Sequence, residues 1–190
     1  MFNKIDELLK NGIKITYLAG NHDFWRGNYF KEEFGIEIQF KDIEKIIDNK
    51  RFYISHGDGL AYKDLGYRIL KKIFRNRILQ KLYYLIHPDL GIWIAKSTSS
   101  TSREYTNKKD YSEKDGLKDF AFKKIDEGFD YVILGHRHKP EIVKKKNSYY
   151  INLGDWIENF SYGCYKNSEF RLYRYYDIQT KTIINSEIKC

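Results

Sequence analysis

Ile13-Lys14-Ile15-Thr16-Tyr17-Leu18 leads into Ala19-Gly20-Asn21-His22-Asp23, and this stretch sets the plan of the chain. Its first half alternates apolar and polar residues and reads as a strand, and its second half is a Gly-containing turn carrying an amide, a histidine and a carboxylate. The pattern occurs twice more. Phe52-Tyr53-Ile54 delivers Ser55-His56-Gly57-Asp58, and Tyr131-Val132-Ile133-Leu134 delivers Gly135-His136-Arg137-His138. Each β-rich run ends in Asn or His at its C-terminal end, the rim on which open α/β sheets gather their ligands. Three such turns together point to a metal site.

Outward from these turns the chain reads as α/β with strands predominating early. Phe2, Ile5, Leu8 and Leu9 share a helical face that closes at Asn11-Gly12. Ile36 to Phe40 alternates as a strand, and residues 41–50 read as a loop and short strand before Arg51 to Ser55 resumes the sheet. From Asp64 to Leu85 a helical period runs through Leu65, Ile69, Ile73, Phe74, Ile78 and Leu82, with Lys71, Lys72 and Arg75 on the other face. Pro88 stops this helix, and Leu90 to Ala95 forms a second apolar piece. This 60–100 insertion reads either as a cap over the turns or as a surface helix pair whose lysines are solvated. A helix from Ser112 to near Gly128 follows, then strands at 131–134, around 142–143 and at 149–153. Phe170 to Tyr176 and Thr182 to Ile188 read as two antiparallel edge strands.

Composition sets the bounds. With 190 residues and 42% hydrophobic content, one core and a single domain over 1–190 are expected. The 17 Tyr and 12 Phe exceed what one such core encloses, so some aromatic surface should be exposed. A formal charge of +8 favours an anionic partner without choosing among phosphate esters, nucleic acid and acidic membrane. Cys164 and Cys190 form neither a disulfide framework nor a zinc-finger spacing and suit a reducing compartment. No signal-peptide pattern starts at Met1 and no apolar run is long enough to span a bilayer, so a soluble or peripheral protein is expected.

His136 and His138, two residues apart in a turn, can splay toward two neighbouring ions. Ligation by an Asn carbonyl and imidazoles suits Mn, Fe or Zn better than Ca or Mg. Any one histidine alone would read as a hydrogen-bonded structural residue, but four of the five fall in such turns, which favours the metal. His87, before Pro88, has no such setting.

Gly20-Asn21-His22-Asp23, His56-Gly57-Asp58 and Gly135-His136-Arg137-His138, in this order, resemble the second half of the calcineurin-like metallophosphoesterase pattern. The basic helical insertion, His87-Pro88-Asp89-Leu90-Gly91, Ser102-Arg103 and Asn152-Leu153-Gly154-Asp155-Trp156 make the UDP-2,3-diacylglucosamine pyrophosphatase branch the nearest likeness. The resemblance implies a layered αββα sandwich with a helical cap and two divalent ions, manganese first, with iron or zinc as alternatives. Asn21, His56 and His136 would bind one ion and His138 the other. His22 would stabilise or protonate the leaving phosphate, with Asp23 orienting it. Lys71, Lys72, Arg75 and Arg103 would meet an anionic lipid-linked sugar nucleotide. The implied setting is the cytoplasmic face of the inner membrane, in lipid A synthesis, and nucleic acid is not the expected partner. The likeness says nothing of oligomeric state.

One departure is large. The family pattern opens with Asp-x-His and Gly-Asp-x-x-Asp turns, and neither occurs here; the Gly-Asp pairs are Gly57-Asp58 and Gly154-Asp155. The sequence therefore reads as truncated at its N-terminus, with one metal site incomplete, an open sheet edge and impaired activity expected. Two other readings stay open: a non-catalytic remnant that binds anionic membrane or a partner, and a nucleic-acid phosphoesterase.

Overall fold

The structure, a computed structural model, describes residues 2–21, 23, 28–60, 73, 76–94, 96–97 and 116–188. The chain divides into two compact units, Met1–Asp42 with Leu65–Ser102 and Ile43–Asp64 with Arg103–Cys190.

In the first unit α1 (Phe2–Lys10) has the expected amphipathic face. It ends in a Schellman motif: Gly12 takes φ 75, Gly12 N–H donates to Leu9 O and Ile13 N–H to Leu8 O. Phe2 meets Tyr29, Phe30 and Phe34 of α2 (Tyr29–Phe34), with ring centroids 5.6, 6.3 and 5.9 Å away, so two edge contacts and one stacked contact hold the two helices together. β1 (Tyr17–Leu18) and β2 (Ile38–Gln39) flank α2 and pair in parallel. Both are shorter than their alternation predicts, because pairing covers only Tyr17↔Ile38 and Leu18↔Gln39. α3 (Arg77–Tyr84) is capped by Asn76, whose Oδ1 accepts from the N–H groups of Ile78 and Leu79. Residues 88–94 are helical again. Pro88 thus opens that helix, where its missing N–H costs nothing. The rest of the predicted 64–85 helix lies largely outside the described residues.

The second unit is a stack of helix, sheet and sheet. Its five-stranded sheet has the order β3-β4-β5-β7-β6. These strands are β3 (Ile43–Ile47), β4 (Lys50–Ser55), β5 (Tyr131–Leu134), β6 (Glu141–Lys145) and β7 (Ser148–Asn152). β4, β5 and β7 run parallel at the centre, and β3 and β6 close the edges antiparallel. Residues 43–47 form the short strand expected within 41–50. Asp48 and Asn49 take φ 49 and 59, the left-handed pair of a type I′ turn that suits a tight hairpin.

On one face of the sheet α4 (Gly116–Asp126) buries Leu117, Ala121 and Ile125 against Tyr53, Val132, Leu134 and Tyr150. On the other, Phe52, Tyr131, Ile133 and Ile151 meet Leu172 of the three-stranded sheet β10-β9-β8. That sheet comprises β8 (Ser161–Lys166), β9 (Glu169–Asp177) and β10 (Thr182–Glu187). β9 is therefore its central strand, which corrects the expectation of an edge. The sequence hid β8 because Gly163 weakens a strand pattern. Here the missing side chain makes room, since a Cβ at 163 would lie 2.4 Å from Phe170 Cζ.

Candidate metal centre

β4 and β5 are neighbours in register, Ser55↔Leu134, so the residues that follow them emerge side by side at the C-terminal rim. The two turns pack closely at Gly57 and Gly135, where an added Cβ would be in ordinary contact with the facing turn. A Cβ on Gly57, which holds φ 90, would touch Leu117 Cδ2 at 3.4 Å and His136 Cβ at 3.7 Å. One on Gly135 would sit 3.6 Å from His56 Nδ1. The backbones are tied by Gly135 N–H donating to His56 O at 3.2 Å. The His56 and His136 imidazoles consequently lie with ring centroids 5.3 Å apart, inclined at 69°.

The next loop braces this turn. Asn152, fully buried at the end of β7, donates from Nδ2 to Gly135 O at 2.9 Å, and its Oδ1 accepts from Gly154 N–H at 3.1 Å. Asn159 Nδ2 donates to His138 O at 2.8 Å and to Asp155 Oδ2 at 2.6 Å. Burial alone would raise the Asp155 carboxyl. The N–H groups of Glu158, Ile157 and Asn159 and the Asn159 amide outweigh it and hold the carboxyl below the ordinary carboxylate range. Arg137 turns to Glu141 on β6 at 3.1 Å, which ties the turn to the edge strand.

The structure thus brings together two predicted ligands, His56 and His136, with His138 two residues further along the same turn. Asn21 and Asp23 lie in the first unit, where Asp23 Oδ2 accepts from Gly20 N–H at 2.7 Å and closes the Asn21 turn on itself. His22, Lys71, Lys72, Arg75 and Arg103 lie outside the described residues. Among the described residues no three His, Cys, Asp or Glu side chains form a cluster able to hold an ion. The His56–His136 pair still fits one: two imidazoles on turns with tied backbones are a nitrogen donor set suited to Mn, Fe or Zn. The bracing asparagines had no assigned role in the sequence reading. The signal available was position, since Asn152 ends a strand as Ser55 and Leu134 do.

Residues 1–140 match the family described as calcineurin-like phosphoesterase. The UDP-2,3-diacylglucosamine hydrolase of Porphyromonas gingivalis is 28% identical over 181 residues, covering 85% of this chain and 69% of that protein. The protein of the same name from Hamiltonella defensa is 32% identical over 142 residues, covering 71% of this chain and 53% of its own length. The chain therefore spans between about half and about two thirds of these relatives. A solved archaeal phosphodiesterase superposes with a TM-score of 0.40 at 15% identity, over 97% of this chain and 74% of that one.

Proposed function

The chain belongs to the calcineurin-like phosphoesterase family, and from that premise we propose that it is a metal-dependent hydrolase of the pyrophosphate in UDP-2,3-diacylglucosamine or a close lipid-linked sugar nucleotide. The observation that carries the phosphoesterase reading is the His56–His136 pair at adjacent parallel strand ends. In this reading Asn21, His56 and His136 hold one divalent ion, manganese by preference, and His138 serves a second. Bound metal of this kind activates water and clamps phosphate oxygens. His22 stabilises or protonates the leaving phosphate, and Asp23 orients it.

The substrate follows from the names of the relatives and from the insertion. Segment 60–100 is read as a cap, and its described part exposes Ile78, Leu82, Leu85, Ile92 and Trp93. Tyr83 Oη, donating to Gly91 O at 2.6 Å, ties α3 to the 88–94 helix. In this reading these exposed apolar side chains meet the acyl chains, with Lys71, Lys72, Arg75 and Arg103 meeting phosphate or anionic headgroups. No described helix is long and apolar enough to cross a membrane; the proposed attachment is peripheral, at the inner-membrane surface.

In this reading, a chain with neither Asp-x-His nor Gly-Asp-x-x-Asp would hold the second ion through few ligands and turn over slowly. The same observation favours a second reading, a non-catalytic protein that binds anionic membrane. Incubation with diacylated sugar nucleotide and Mn²⁺ tests both. UMP release that His136→Ala abolishes supports the hydrolase, liposome binding without turnover supports the second reading, and preferential cleavage of DNA would remove the lipid assignment.

A further inference from the structure

We propose that the segment after β7 is a clamp that sets the conformation of the His136–His138 turn, with Asn152 and Asn159 as its positioning residues and Asp155 holding Asn159 in place. Its use to the protein rests on the metal reading above, but the clamp is a property of the apo chain.

His136 and His138 both lie in the left-handed region, at φ 66 and 54. For a residue with a Cβ this costs about 1 to 2 kcal/mol, and two such residues in one short turn persist only if the surroundings over-determine them. Apolar packing does not do so, since residues 135–138 are all only half-buried. Beside the bonds of Gly135 N–H to His56 O, Arg137 N–H to Gly135 O and Arg137 to Glu141, the restraint comes from hydrogen bonds contributed by the segment after β7. Asn152 Nδ2 donates to Gly135 O, just before His136, and Asn159 Nδ2 donates to His138 O. The turn is thus gripped on both sides of the His136–Arg137 step.

The grip is itself rigid. Asn152 is fully buried, and its Oδ1 is committed to Gly154 N–H, which fixes the amide orientation. Asn159 is set by Asp155, whose Oδ1 accepts from the N–H groups of Ile157, Glu158 and Asn159 and whose Oδ2 accepts from Asn159 Nδ2. Ser161 closes the loop, its N–H donating to Asp155 O at 3.0 Å and its Oγ to Leu153 O at 2.6 Å. Both gripped atoms are carbonyl oxygens, which only accept, so the positions at 152 and 159 require a donor. An aspartate of the same shape would set a carboxylate against a carbonyl.

The test uses the apo full chain and its Asn159→Ala and Asn159→Asp variants, because Asn159 is partly exposed and its replacement leaves no core cavity. NMR reads the strong intraresidue HN–Hα cross-peak that a left-handed residue gives. Both variants should weaken it at His138 while the thermal midpoint moves by only a few degrees, and Mn²⁺ affinity should fall about 10- to 100-fold. Restoration of the cross-peak by Asp would mean that shape, not donation, matters and would overturn the clamp. So would an unchanged cross-peak in Asn159→Ala. A weakened cross-peak in a protein whose wild type binds no Mn²⁺ would uphold the clamp and remove the metal reading, so the two failures are distinct.

Discussion

At position 154 a Cβ would lie 2.2 Å from Ser161 Oγ and 3.0 Å from Pro140 Cδ, on a residue held at φ 76. Steric and backbone costs act together there, so Gly154→Ala should destabilise the protein by about 1 to 3 kcal/mol, read from the urea midpoint. An unmoved midpoint would show that Ser161 swings away freely. Leu117 presents a different balance. It is 1% exposed and packs under Gly57 as well as into the core, so Leu117→Ala should cost about 2 to 5 kcal/mol by opening a cavity. The same cavity lies beneath the His56 turn, and the histidine resonances of this variant should broaden.

Among the elements, the loop between β7 and β8 is built around one carboxylate, and its stability should depend on that group's charge. Asp155 in the folded chain titrates below its unfolded value of about 3.9. Its contribution is fully present above that value and is lost as pH falls through the lower, folded one. The amide signals of Ile157, Glu158 and Asn159 should therefore shift cooperatively in acid, and Asp155→Asn should abolish the transition. The β3–β4 hairpin offers the opposite case. Asn49 at φ 59 occupies a position that glycine takes without steric cost, so Asn49→Gly should change stability by less than about 1 kcal/mol, whereas Asn49→Val should lower it clearly in the same thermal melt.

For the whole molecule, the charge of +8 and the exposed apolar side chains of 78–93 lead to a single expectation. Binding to phosphatidylglycerol vesicles should weaken as salt rises, because screening shortens the reach of the basic residues. Reversing the charge at Lys71, Lys72 and Arg75 should weaken it further. The strand-end turns on which the proposed function rests were legible in the sequence because each couples a local period to a local glycine turn, and both signals sit within about ten residues. The helix at 2–10 and the strand at 131–134 were legible for the same reason, and the hydrolase family from the order in which the three turns follow one another. β8 was not, because Gly163 is favourable only beside the Phe170 ring, which β9 brings there through pairing in space with Gly163 itself opposite Leu172. Nor was the grip of Asn152 on Gly135 or of Asn159 on His138, which span 17 and 21 residues. The sequence alone determined which side chains the His-bearing turns carry. Tertiary structure decided that β4 and β5 lie side by side, that His56 and His136 therefore meet, and which buried amide sets the turn, because strand order and long-range hydrogen bonds depend on how the whole sheet packs.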